Sequence, residues 1–223
     1  MDASPLTSTP LFQLGPVPIS RPVVTTWAIM AVLVSVSWLL TRPRSRWHDR
    51  ALFVIETVVI GILNQIRDVV GDNARALLPL LGTLFLFIVA ANLSGILPGV
   101  EGPTAKIETP AALAVAVFFS VHYFGIRARG LLGYLATFAK PKLIMLPLNL
   151  VSEVTRTLSL MVRLFGNVMS GEFMIGLVVA LAGLFVPIPV MALEILIGLI
   201  QAYIFTILAA VFIGAAMDPR QEI

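Results

Sequence analysis

Residues 143–185, LIMLPLNLVSEVTRTLSLMVRLFGNVMSGEFMIGLVVALAGLF, form 43 mostly apolar positions in a row. As a continuous helix this stretch would extend about 64 Å, roughly twice the hydrocarbon thickness of a bilayer. It therefore either breaks near Pro147 or crosses with a tilt well beyond the typical value of about 20°. VPIPV at 186–190 reads as a turn, and residues 190–217 return across the membrane.

The remainder of the chain fits this reading. Of 223 residues, 58% are hydrophobic and only 12% are Asp, Glu, Lys or Arg, against about 25% charged in soluble domains. This composition excludes a soluble enzyme and a disordered chain. There is no cysteine for a disulfide framework, and no Gly-X-Y period. The first 22 residues lack the basic start and small-residue cleavage site of a secretory signal, so the first span is expected to be retained. Spans are expected at about 23–40, 77–97, 110–126, 143–185 and 190–217, the second ended by Pro98–Gly99. Residues 51–70 carry Glu56, Asn64, Gln65, Arg67 and Asp68 among apolar runs, a pattern for an amphipathic helix lying on the membrane.

Charge placement sets the orientation. TRPRSRWHDR at 41–50 is strongly basic, and 127–142 holds Arg127, Arg129, Lys140 and Lys142 with no acid. Both are expected to be cytoplasmic, and the acidic GVEGPTAKIET at 99–109 external. The N-terminal segment 1–22 is then external, residues 23–217 form one membrane domain, and the tail 218–223 is cytoplasmic. The expected fold is an all-α integral membrane protein of five membrane helices plus one interfacial helix, the last two helices forming a long, strongly tilted hairpin. Trp27, Trp38 and Trp47 fall near the ends of the first span, as an interfacial aromatic belt does. No duplicated halves are visible, against an inverted-repeat transporter.

Between Leu143 and Met217 there are five charged residues: Glu153, Arg156, Arg163, Glu172 and Glu194. A charge at a span centre costs about 2.5 to 3.5 kcal/mol on insertion scales, so such groups face a partner or water and mark a pathway. Residue 164 is the midpoint of 143–185, which places Arg163 near mid-membrane. Asn149, Glu153, Arg156, Arg163, Asn167 and Ser170 follow spacings that put them in one stripe along one helical face. Glu172 lies on the opposite side, about 13 Å further along. Glu194 and Gln201 share a face of the returning helix. The hairpin is thus expected to set Arg163 opposite Gln201, with Glu172 and Glu194 at similar depth on the external side and Glu153 toward the cytoplasm. Arg156 is three residues from Glu153, a pairing distance on a helix. Carboxylates can relay a cation, but a guanidinium does not release its proton, so Arg163 blocks straight passage unless another carrier takes the ion past it.

SLMVRLFGNVMSGE at 159–172 resembles the signature of subunit a of the rotary F-type ATP synthases. PLNLVSEVTR at 147–156, ANLSGILPG at 91–99 and LIQAYIFTIL at 199–208 extend the likeness over most of the chain. LGPVPIS with VVTTW near the start is similar to the N-type subgroup, whose members include forms assigned to sodium. The resemblance implies a stator subunit of a bacterial inner membrane that forms two offset half-channels to and from the carboxylates of a ring of c subunits. Its implied partners are the c-ring, peripheral-stalk b subunits and the other synthase subunits within the bilayer. In it Arg163 matches the arginine that faces the ring and prevents a shortcut, with Gln201 and Asn167 beside it. Glu172 and Glu194 match the pair lining the external half-channel, and Glu153 an acid on the cytoplasmic side. Many members have a histidine at one position of that pair. Two acids suit a proton relay but would also coordinate a cation.

No phosphate-binding loop, metal motif or Ser/His/Asp grouping occurs in the chain, so no ATP chemistry, cofactor, metal or nucleic-acid contact is expected of it. His48 and His122 read as bystanders. A stand-alone transporter with a mid-membrane substrate site and a purely structural scaffold are the rival classes.

Overall fold

The computed structural model describes residues 10–14, 17–41, 48–96, 102–139, 146–183 and 186–217. The expectations for the basic segment 42–47, for Pro98–Gly99, for Glu101, Lys140 and Lys142, and for the tail 218–223 lie outside those residues. Six helices account for nearly all of the described chain: α1 (Arg21–Thr41), α2 (His48–Val70), α3 (Ala74–Ser94), α4 (Glu108–Ala139), α5 (Leu146–Ala182) and α6 (Pro187–Met217). A short antiparallel hairpin, β1 (Pro10–Leu14) with β2 (Val17–Ser20), precedes α1.

All the helices but α2 are long and apolar enough to cross a membrane. The charges of α2 keep it out of that class, in line with the interfacial reading, and it packs on α3 and α6. The protein is an all-α, multi-pass membrane protein with this one small strand pair.

Two boundaries differ from the sequence reading. The span expected to end at residue 126 continues as α4 through the basic residues to Ala139, with a kink at Gly130 where φ is +73° and ψ 162°. Only glycine adopts this backbone readily. After the kink the chain folds back, so that Tyr134 is buried against Gly125 and Ala216 with its ring edge-on to His122. The Arg127–Arg129 pattern signals a membrane boundary, but it does not end a helix.

The second difference concerns the hairpin. α5 is continuous from Leu146, and Pro147 is its second residue, where a missing N–H costs no hydrogen bond. It ends at Gly183, whose φ of +78° and N–H to Val179 O bond (3.2 Å) make a left-handed glycine cap. Pro187 then opens α6. Most of VPIPV therefore belongs to the first turn of α6.

The core runs between α3, α4, α5 and α6. Leu77, Leu81, Leu84 and Ile88 on α3 face Phe205, Ala209 and Ile213 on α6, while Leu160 and Leu164 bring in α5. Small residues let the α6 backbone come close. A Cβ added at Gly198 would lie 3.0 Å from that of Asn92.

Candidate functional site

α5 and α6 pack as an antiparallel pair whose register is fixed by three contacts. The Arg156 guanidinium lies 5.0 Å from the centroid of the Phe212 ring. Asn167 Nδ2 donates to Gln201 Oε1 at 2.5 Å. Gly171 has no room for a side chain because the Glu194 carboxylate occupies the place of its Cβ. Each step up one helix is a step down the other.

This register corrects one expectation. Gln201 is bonded by Asn167 and not set opposite Arg163, which lies one helical turn, about 6 Å, further from the hairpin turn. Gln201 is only 2% exposed, and its Nε2 has no acceptor among the described residues.

Arg163 is on the exposed side of α5. Among the described residues no carboxylate or carbonyl pairs with it. Asn167 and Ser170 are exposed on the same edge, and Asn149 and Arg156 are half-buried. Glu153 departs from the expected single stripe. It is 8% exposed and faces inward with Leu160 and Leu164, because its accumulated rotation sets it about 80° from Arg163.

Glu172 and Glu194 do come together in depth. Glu194 covers Gly171, the residue next to Glu172. The Glu172 carboxylate points away from Arg163 toward Gly95 at the end of α3 and toward Gly102. An open groove of about 360 Å³, lined by Glu172, Phe173, Gly176 and Leu177, runs along α5 at this end. A second groove, about 550 Å³ and lined by Leu148, Asn149, Ser152, Arg156 and Ser159 among others, lies toward the other end of the same helix. Arg163 falls between them and lines neither.

Around that second end, Glu153 Oε2 is 3.4 Å from Arg156 Nη1, the pairing expected from their spacing. Buried Tyr134 has Glu153, Arg156 and Arg129 as charged neighbours. His122 is enclosed by the Phe118 and Tyr134 rings, with its Nδ1 2.8 Å from Phe118 O.

The sequence reading did not single out Asn92, Thr104 and the glycines that touch carboxylates. Asn92 Nδ2 donates to Gly198 O (2.9 Å) and its Oδ1 accepts from Thr104 Oγ1 (3.0 Å), all buried. An asparagine inside an apolar span is itself a signal, since a polar group there needs internal partners. Glycines that make room leave no such mark.

The family model described as ATP synthase A chain matches residues 23–214. The chain is 69% identical to ATP synthase subunit a 2 of Bradyrhizobium sp. strain BTAi1, covering 97% of each sequence. It is 46% identical to ATP synthase subunit a 2 of Pelobacter propionicus (95% of this chain, 93% of the relative) and 44% identical to ATP synthase subunit a 1 of Hahella chejuensis (96% and 92%). With a family match over most of its length and relatives aligned almost end to end, this chain belongs to the ATP synthase A chain family.

Proposed function

We propose that the chain is the stator ion channel of a rotary ATP synthase membrane sector, with two half-channels that meet a ring of rotor carboxylates on either side of Arg163. The observation that carries this reading is the exposed Arg163, unpaired among the described residues and set between two separate grooves on one helix. Facing lipid, such a charge would cost at least about 2.5 to 3.5 kcal/mol. Facing a carboxylate on a neighbouring subunit, it would hold that group ionised as it passes and deny ions a direct path.

An ion entering from outside is handed by Glu194 and Glu172 to a rotor carboxylate, which becomes neutral and turns into the lipid. After nearly a full rotation it reaches the other groove, releases the ion toward Glu153 and the cytoplasm, and returns ionised to Arg163. The Asn167–Gln201 pair supports the arginine edge without adding charge. Each unit charge moved through 100 mV gains about 2.3 kcal/mol, so the rotor must pass several ions for each ATP. The chain itself carries no ATP chemistry. The external N-terminus, the cytoplasmic C-terminus, the single membrane domain at 23–217 and the steep tilt of α5 and α6 along the ring belong to the same reading. At 37 and 31 residues these helices would extend about 55 and 47 Å, too long for an upright crossing of about 30 Å. Contacts with c, b and the other synthase subunits follow from that placement.

The test is Arg163→Ala in the assembled complex. ATP-driven pumping should be lost while the complex still assembles, and normal coupled pumping would remove the assignment. The adjacent acids Glu172 and Glu194 favour a second version, sodium transport. Sodium-dependent pumping that survives a protonophore would establish it over protons.

A further inference from the structure

The short segment Gly102–Ala105 joins α3 to α4 by crossing the end of the bundle, and it is buried: Pro103 and Thr104 are less than 2% exposed. It is tied to the bundle through Thr104. Thr104 is bonded to Asn92, which in turn holds the α6 backbone, and Ala105 N donates to Gly102 O at 3.0 Å. At its start, Gly102 meets both Gly95 and Glu172. A Cβ added at Gly102 would lie 3.1 Å from Glu172 Oε1 and 3.1 Å from Gly95 Cα. At Gly95 it would lie 3.4 Å from Gly102 Cα and 3.7 Å from Glu172 Oε1.

Neither glycine is required by its backbone. Gly102 has φ −60°, ψ 123° and Gly95 φ −66°, ψ −16°, both regions open to any residue. What the two positions share is the absence of a side chain where the Glu172 carboxylate approaches. Gly166 and Gly176 on α5, by contrast, have open space around them.

We propose that Gly102, with Gly95 behind it, is a positioning residue for Glu172. The buried strap lies against the Glu172 carboxylate, and its bare backbone sets how far the carboxylate withdraws from the α5 surface. The inference rests on the reading of Glu172 as an ion relay. A methyl group at 102 cannot be absorbed by the strap, which is anchored through Thr104, so the carboxylate must move outward and its exchange with the entering ion changes.

The experiment uses assembled complexes in membrane vesicles, with ion uptake from the Glu172 side read during ATP synthesis as a function of ion concentration on that side. The ion is the one pumped by the parent complex, protons followed by a pH dye or radioactive sodium. Gly102→Ala is expected to raise the half-saturating concentration roughly three- to tenfold, below the ~100-fold that a full ångström of misplacement can cost. Gly95→Ala is expected to do so less, and Gly61→Ala, in open space on α2, not at all. Glu172→Asp shortens the side chain by one methylene and should relieve the contact, so Gly102→Ala should cost much less in the Glu172→Asp background than in the parent. Equal cost in both backgrounds, or an unchanged half-saturation in Gly102→Ala, would overturn the inference. Should Gly102→Ala fail to assemble, the same cycle run with Gly95→Ala decides by the same criterion. Glu172→Gln separates the two levels: wild-type uptake in that variant removes the relay reading itself, while impaired uptake with an additive cycle removes only the role of Gly102.

Discussion

α5 and α6 are consecutive and similarly apolar, yet they do opposite work. In the most apolar 18-residue stretch of each, about 39% of α6 is buried within the chain, against 6% of α5. α6 is the mast of the bundle, with Ala202, Phe205, Ala209 and Ile213 fully enclosed. α5 lends the core only a narrow edge through Leu160 and Leu164 and turns Val151, Leu158, Val162, Phe173 and Leu177 outward. Exposure by itself does not mark a functional face, because the α1 span is also 6% buried and its apolar surface has no charge to account for between Val23 and Leu40. What distinguishes α5 is that its open side carries Arg163, Asn167 and Ser170. An apolar helix presents such an edge at a cost unless a charged partner meets it. Adjacent helices of equal hydropathy can therefore be told apart by what their polar residues face.

The sharpest way to break this contrast is a pair of truncations. Arg163→Ala should leave the fold intact and abolish coupled pumping. Phe205→Ala, at the centre of the α6 core, should cost about 3 to 5 kcal/mol and show first as lost assembly and a lower unfolding midpoint in detergent. If the arginine variant fails to assemble while the phenylalanine variant pumps normally, the roles assigned to the two helices are reversed.

The contact between the helices comes next. Gly171→Val would drive a branched side chain into the Glu194 carboxylate. Overpacking of this kind typically costs about 1 to 3 kcal/mol, and here the displaced group is one of the proposed relay acids. Pumping should fall more than stability does, and shortening the acid with Glu194→Asp in the same chain should recover part of it. No recovery would mean that the strain is carried by the backbone.

How much of this was legible in the sequence follows from the kind of signal each feature leaves. The long apolar run with Arg163 near its middle reads directly, as does the i,i+3 pairing of Glu153 with Arg156, because hydropathy and helical spacing are local properties. The extension of α4 beyond Arg127 does not. Gly130 is kinked because Tyr134 has a place to pack against Gly125, a contact made only in the folded chain. The bond from Asn167 to Gln201 depends on the register of two helices packed in the folded chain, which spacing within one helix does not carry. The seats for Glu172 and Glu194 were invisible for a simpler reason. Gly95, Gly102 and Gly171 act through atoms they lack, and a missing side chain has no pattern of its own.

Asn92→Ala tests whether the end of α3 matters as a support for the channel end of the hairpin. The change removes bonds to Gly198 O and Thr104 Oγ1 inside the bundle, and each polar group left unsatisfied costs about 1 to 3 kcal/mol. The unfolding midpoint should drop, and the strap from Gly102 to Ala105 should become more open to protease than the α5–α6 pairing does. Uniform loosening of both would show that the network stabilises the whole bundle and has no particular hold on the strap.

The smallest effect is expected at Arg156. It pairs with a buried acid, and it shares the helix with Arg163. Its side chain is 40% exposed, however, and its bond to Glu153 is a single long contact of 3.4 Å, the kind of pair that contributes about 1 kcal/mol or less. Arg156→Gln keeps a donor within reach of the carboxylate and most of the packing over Phe212. Its stability should therefore change by no more than that amount, and pumping should persist at a reduced rate instead of stopping. A complete block in Arg156→Gln, equal to that in Arg163→Ala, would show that exposure along α5 is the wrong criterion for choosing between its two arginines, and that the groove toward Glu153 depends on a fixed positive charge of its own.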